Sequence, residues 1–204
     1  IGGTILFFFF FYNHAFAGLS MGEKILAAFF QSVTPRTAGF NSIDLTKLSG
    51  GGNILTVVLM IIGAGSGSTG GGIKVTTCAV LFLHMTSYVK GYAGIDIFGR
   101  RVEGEATLKA AANVASYLLV GVAGCLIIAS GGFTAQESAF EAFSALGTVG
   151  LTLGITSSLP LIPQLVVTFM MYFGRVGSMT VAMAVTEGRM KEHLGNVKEN
   201  IIVG

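Results

Sequence analysis

Thr37-Ala38-Gly39-Phe40 follows a short apolar stretch, and Thr148-Val149-Gly150-Leu151 follows another one 111 residues later. Each tetrad lies between longer apolar stretches. The same offset carries Gly63 onto Gly174, midway along the next apolar stretch in both cases. A chain that repeats helix, short dip, Thr-x-Gly and helix is restricted to two copies of one plan. Non-helical backbone at membrane depth is tolerated only where it is buried in protein or lines water. The duplicated dip therefore predicts a hole lined by backbone carbonyls, which points to an ion pathway.

Composition agrees with a membrane setting. The chain is 52% hydrophobic and only 11% charged, whereas soluble domains carry about 25% charged residues. A net charge of +2 gives nucleic acid no place among the partners. Thirty glycines suit closely packed membrane helices, but a cluster such as Gly70-Gly71-Gly72 breaks a helix. Cys78 and Cys125 stand alone in apolar runs and read as small buried hydrophobes. The opening apolar run has no basic leader, so a signal peptide is not expected.

Two units follow. In the first, an outer helix is expected to end near Gly18, and Ser20-Met21-Gly22-Glu23 reads as a capping box. Residues 25–33 form an apolar helix of about nine residues, too short to span a membrane, which takes about 20. It fits a re-entrant pore helix. Thr37 to Phe40 returns as extended chain, and an inner helix begins at Asn53. In the second, residues 107–129 form the outer helix and Thr134-Ala135-Gln136-Glu137 the second capping box. Residues 138–146 form the short helix, and Pro160 or Pro163 starts a last helix reaching about Thr186. Subtracting 111 from 107–129 places the first outer helix at about −4 to 18, so the chain reads as part of something longer. The boxes are 114 apart and the Thr-x-Gly segments 111, which predicts three extra residues around Thr34-Pro35-Arg36 in the first unit. Lys90, Arg100, Arg101 and Lys109 in the linker, and Arg189, Lys191 and Lys198 in the tail, outnumber Lys24, Arg36 and Lys47 opposite. The positive-inside rule then makes the linker and C-terminus cytoplasmic.

A dehydrated cation needs oxygens to replace its water, and a ring of carbonyls supplies them. Gly39 and Gly150 permit the dihedrals that turn carbonyls inward, and Thr37 and Thr148 can add hydroxyls. The run Gly63-Ala64-Gly65-Ser66-Gly67-Ser68-Thr69-Gly70-Gly71-Gly72 interrupts an apolar stretch about half a membrane below that entrance and reads as a gate. It is not a nucleotide P-loop, because Ile73 separates Gly72 from Lys74 and no strand precedes it. Arg175 falls mid-membrane, where a charge faces the bundle interior or water, and the freed carbonyls of the glycine run are its expected partners. Lys74 lies near the same run, at a helix end from which it could snorkel. No His/Cys ligand spacing and no paired carboxylates in an apolar setting stand out. An intramembrane serine protease built on Ser66 or Ser68 would need His84, which the helix after Gly72 carries away, so no catalytic residue is expected.

These motifs, with Thr34-Pro35-Arg36-Thr37-Ala38-Gly39-Phe40-Asn41, Phe143-Ser144-Ala145-Leu146-Gly147-Thr148-Val149-Gly150-Leu151 and Gly174-Arg175-Val176-Gly177, closely resemble the Trk/Ktr/HKT superfamily of potassium transporters, and the short tail resembles the bacterial Ktr type. The resemblance implies an all-α membrane protein with four outer helix–pore loop–inner helix repeats around a pseudo-fourfold pore. Two repeats are present here: a third over 1–90 and a fourth over 107–204, joined by a cytoplasmic linker over 91–106. It implies K⁺ as the transported ion, with Na⁺ as a second candidate, held mainly by backbone carbonyls of Thr37, Ala38, Gly39, Phe40, Thr148, Val149, Gly150 and Leu151. The gate would be the glycine run together with Arg175. The implied partners are an N-terminal half with repeats one and two, a second copy in a homodimer, a cytosolic ring of nucleotide-binding regulatory subunits, and the lipid bilayer of a bacterial plasma membrane. The alternative is a secondary transporter with alternating access, but its repeats are often inverted, whereas two capped dips on one side argue for parallel ones.

Overall fold

The structure, a computed structural model, describes residues 2–12, 16, 18–92, 94–97, 100–102 and 104–177. It consists of seven α-helices, two short 3-10 helices (Leu45–Lys47 and Thr156–Ser158) and one two-residue strand pair among those residues: α1 Gly2–Phe11, α2 Met21–Val33, α3 Gly50–Ile61, α4 Val75–Val89, β1 Asp96–Ile97, β2 Arg100–Arg101, α5 Gly104–Ser130, α6 Ala135–Leu146 and α7 Leu161–Val176. The expected tail, the end of the last helix near Thr186, and His14 and His193 lie outside the described residues.

α1 packs on α2 and α3, and α5, α6 and α7 pack on one another; α3 on α6 and α4 on α5 join these two groups, the first and second units. Both short helices start directly after their caps, at Met21 and Ala135 rather than at 25 and 138, and are 13 and 12 residues long rather than about nine. The backbone N–H and hydroxyl of Ser20 donate to Glu23, at 2.8 and 2.7 Å, and those of Thr134 donate to Glu137, at 3.0 and 2.7 Å. Each box satisfies donors that a helix start leaves unpaired.

Several boundaries differ from the sequence expectation. The first helix ends at Phe11 rather than near Gly18. Phe16 turns back onto it, its N–H donating to the Phe11 carbonyl and its ring packing edge-on at 5.5 Å. The inner helix α3 begins at Gly50, not Asn53, because the Ser49 hydroxyl caps it by accepting from Gly52 N–H at 3.3 Å. Two of the three glycines in this first turn are tightly covered: a Cβ on Gly52 would strike the Phe11 ring and one on Gly51 would crowd that of Phe10, whereas Gly50 lies open. α5 starts at Gly104, three residues early, after a hairpin in which Arg101 donates to Asp96 at 3.1 Å and holds its carboxyl below the usual range.

The three-residue difference between the units is not confined to Thr34-Pro35-Arg36. The Thr34 hydroxyl donates to the Phe40 carbonyl and the Ser144 hydroxyl to that of Leu151, so Thr34 and Ser144 correspond. From cap to hydroxyl the first unit has 14 residues (20 to 34) and the second 10 (134 to 144); from hydroxyl to the Thr-x-Gly threonine they have three and four. The net three is thus four added between cap and hydroxyl and one removed between hydroxyl and Thr-x-Gly, although the helices themselves, at 13 and 12 residues, differ by one. Four residues is close to a whole turn of 3.6 and keeps the hydroxyl on the same face.

Glycine sets how closely the second unit packs. A Cβ on Gly121 would strike the Phe143 ring, one on Gly124 the Met170 sulfur, and one on Gly174 the Leu146 carbonyl oxygen that ends α6. Gly174→Ala would force α7 off α6. It is expected to destabilise the protein by about 1–3 kcal/mol, as overpacking does, read as an earlier thermal aggregation midpoint in detergent. An unchanged midpoint would mean that this approach constrains nothing. Outside the core, Leu119, Val122 and Leu126 form an exposed apolar stripe along α5, whose 27 residues make it long and apolar enough to cross a membrane.

Candidate functional site

Each short helix delivers its Thr-x-Gly segment through the same bonds. In the first unit Ala38 and Gly39 N–H groups donate to the Thr34 carbonyl, at 3.1 and 3.2 Å, and in the second Val149 N–H donates to that of Ser144 at 2.9 Å. Thr37 and Thr148 are the only non-glycine residues among those described with positive φ, at 72° and 54°, and Gly39 and Gly150 follow at 73° and 90°. Two left-handed residues flanking one ordinary residue, in each unit, depart from the alternation of a strand, where successive groups point to opposite faces. A β-branched residue at positive φ is a genuine outlier, and such outliers cluster at functional sites.

The two segments face each other. A Cβ on Gly39 would collide with the Val149 carbonyl oxygen, so that carbonyl points across at the first segment. The eight residues singled out from the sequence are not equivalent, however. The Phe40 and Leu151 carbonyls accept from Thr34 and Ser144, at 2.7 and 2.5 Å, so one lone pair of each is tied back to its own helix.

The glycine-rich break lies against both threonines. Gly71 N–H donates to the Thr148 hydroxyl at 2.8 Å, and a Cβ on Gly70 would sit 2.6 Å from the Thr37 hydroxyl. The ends of the break are pinned: Ile73 N–H donates to the Ile61 carbonyl and Gly63 N–H to that of Ile73, both at 2.9 Å. Gly63 approaches the Gly71 carbonyl too closely to carry a side chain, so the glycine that repeats as Gly174 meets a different partner in each unit. Gly65 and Gly67 lie on the outer bend, where Ser68 donates to the Gly65 carbonyl and Ser66 bonds Thr76 at 2.6 Å.

Three successive carbonyls of this break are held by cations. Arg175, in the last turn of α7, donates to the Thr69 carbonyl at 2.5 Å. Lys74 donates to those of Ser68 and Gly70, at 3.0 and 2.5 Å. The sequence left Lys74 free to snorkel away; at the start of α4 it turns into the break instead, because the carbonyls freed there are the nearest acceptors. Arg175 also borders two cavities. One, of about 410 Å³, is lined by the second Thr-x-Gly segment and Glu141. The other, of about 280 Å³, is lined by Ser68 to Gly72, Lys74 and Tyr117.

Glu141 escaped the sequence reading, which looked for paired carboxylates. It lies on α6, 4% exposed, and accepts from the Thr152 hydroxyl at 2.8 Å and the Thr156 hydroxyl at 2.5 Å. A second carboxylate in α6, beyond the capping Glu137 and within the apolar run that follows it, was the available signal, since buried charge needs partners.

A helical chain that sets two left-handed Thr-x-Gly segments over a cation-clasped break has the framework of a cation-transport protein, and it belongs to the TrkH cation transport protein family, which residues 4–192 match. It is similar to the potassium/sodium uptake protein NtpJ of Enterococcus hirae, 41% identical over 189 residues, covering 89% of this chain and 42% of that protein. The Ktr system potassium uptake protein B of Bacillus subtilis is 40% identical over 165 residues, covering 79% of this chain and 37% of that one. The crystal structure of the potassium transporter TrkH from Vibrio parahaemolyticus superposes with a TM-score of 0.74 at 23% identity, covering 93% of this chain and 42% of that one, a likeness of fold. The chain thus spans about two fifths of the length of these relatives.

Proposed function

We propose that this chain is the C-terminal half of the K⁺-translocating subunit of a bacterial uptake system, in which ions permeate down their electrochemical gradient with no covalent chemistry. The observation that carries the reading is the pair of left-handed Thr-x-Gly segments facing each other with the glycine break directly beneath. The segments at 37–40 and 148–151 are two of four filter strands, and K⁺ exchanges its water for their free carbonyls. Residues 1–90 and 107–204 act as two parallel repeats, with α2 and α6 as re-entrant pore helices and 91–106 as the cytoplasmic linker. The relatives' names support K⁺, and that of NtpJ adds Na⁺ as a second candidate ion.

The 12-residue α3 is about 18 Å long, a little over half of a hydrocarbon core of about 30 Å. The break therefore lies at mid-depth on the inner side of the filter, where it obstructs the path. Three of its carbonyls accept hydrogen bonds from Lys74 and Arg175, and release of those bonds opens the way. An N-terminal half completes the pore, and a second copy makes the homodimer. A ring of nucleotide-binding regulatory subunits on the cytoplasmic side moves the break. The exposed stripe on α5 faces lipid.

Deleting part of 65–72 is expected to raise K⁺ flux, normalised to assembled protein, and to weaken its dependence on the regulatory partner. A deletion that assembles yet carries less K⁺ would assign the break a structural role.

A further inference from the structure

We infer that Glu141 is a positioning residue that sets the cation discrimination of the second Thr-x-Gly segment. The inference deepens the filter reading above and rests on it. α6 holds the returning chain at two places. The Ser144 hydroxyl takes the Leu151 carbonyl, and the Glu141 carboxylate, one turn earlier, takes the hydroxyls of Thr152 and Thr156. Thr156 also lies 2.9 Å from Thr152, whose hydroxyl accepts Gly154 N–H at 3.0 Å. This net fixes the chain immediately after Gly150 and Leu151, so the carbonyls between Thr148 and Leu151 have one anchored end.

The first unit offers a built-in comparison. Thr34 and Ser144 correspond, and three residues before each stand Gln31 and Glu141. Gln31 is fully buried, and neither of its amide atoms has a hydrogen-bond partner. The residues matching Thr152 and Thr156 at the 111 offset are Asn41 and Leu45, so the hydroxyl net is absent there. Both units tie the segment back through the Thr34 or Ser144 hydroxyl, but only the second adds a carboxylate and two hydroxyls beyond it, while the first has an amide of similar shape and no such net. A buried carboxylate is costly without such bonds, and bonds to an ionised acceptor are roughly twice as strong as neutral ones. Glu141 also lines the same cavity as Val149, Gly150 and Arg175.

Glu141→Gln separates charge from shape, and Gln31 shows that glutamine fits at this position of the fold. The experiment compares K⁺ and Na⁺ uptake by the complete transporter carrying Glu141→Gln, Glu141→Asp, Thr152→Val with Thr156→Val, or Gly150→Ser, each normalised to assembled protein. Glu141→Gln and the double threonine variant are expected to lower discrimination of K⁺ over Na⁺ by about three- to tenfold, the difference between a charge-assisted and a neutral bond. Glu141→Asp, which keeps the charge, should restore part of it. If Gly150→Ser alters discrimination and Glu141→Gln does not, the filter reading stands and the role of Glu141 is overturned. If neither alters it, the filter reading itself falls. Lower amounts of assembled protein at unchanged discrimination would reduce Glu141 to a structural brace and equally overturn the inference.

Discussion

Gly39→Ala is expected to abolish most K⁺ uptake, a larger loss than Gly150→Ser should cause. Both positions are left-handed, at φ 73° and 90°, and a side chain there costs about 1–2 kcal/mol. Thr37 and Thr148 already hold such dihedrals, so this strain alone is tolerated in these segments. The difference lies in what the new Cβ meets. At Gly150 nothing lies within 4 Å, whereas at Gly39 the Cβ would fall on the Val149 carbonyl oxygen of the opposite segment. Gly39→Ala must therefore move a carbonyl that the filter reading gives to the ion. Gly150→Ser adds only strain, and 1–2 kcal/mol corresponds to about five- to thirtyfold in an equilibrium, read as weaker discrimination of K⁺ over Na⁺. Relative uptake of the two ions by assembled protein decides the matter. Equal and small effects at both glycines would mean that the segments do not meet around the ion.

Arg175→Ala is expected to raise K⁺ uptake. Its guanidinium donates to the Thr69 carbonyl, and on the proposed reading that bond holds the break across the path while its charge repels the permeating cation. A hydrogen bond to a charged group contributes about 1.5–3 kcal/mol, so removing it should shift a closed population toward the open one by roughly tenfold or more. Lys74 still holds the Ser68 and Gly70 carbonyls, which limits the gain. Arg175→Lys keeps the charge but loses the planar fork, and its effect should be intermediate. Uptake normalised to assembled protein that stays level or falls in Arg175→Ala would make the residue a tie between α7 and the break.

How much of this was legible in advance differs from element to element. The two capping boxes were, because Ser20 and Glu23, like Thr134 and Glu137, bond within one turn and need no distant partner. So was the interruption between α3 and α4, since the six glycines among residues 63–72 weaken a helix wherever they stand. Yet Gly50-Gly51-Gly52, left outside the inner helix expected from Asn53, begins α3, where Ser49 caps it and Phe10 and Phe11 lie over Gly51 and Gly52.

The sequence by itself determined the order of the elements and the place of the left-handed glycines, because these depend on spacing along one chain; Arg175, expected midway along a helix reaching about Thr186, stands in the last turn of α7, which ends at Val176. Only the tertiary structure decided which groups meet across the two units: Val149 against Gly39, Gly71 on Thr148, Arg175 on Thr69, and Glu141 on Thr152 and Thr156. Lys74 is the plainest case. Its flexible stem can reach water or turn inward, and only the folded break, with three carbonyls unpaired by any helix, supplies the acceptors that settle its direction.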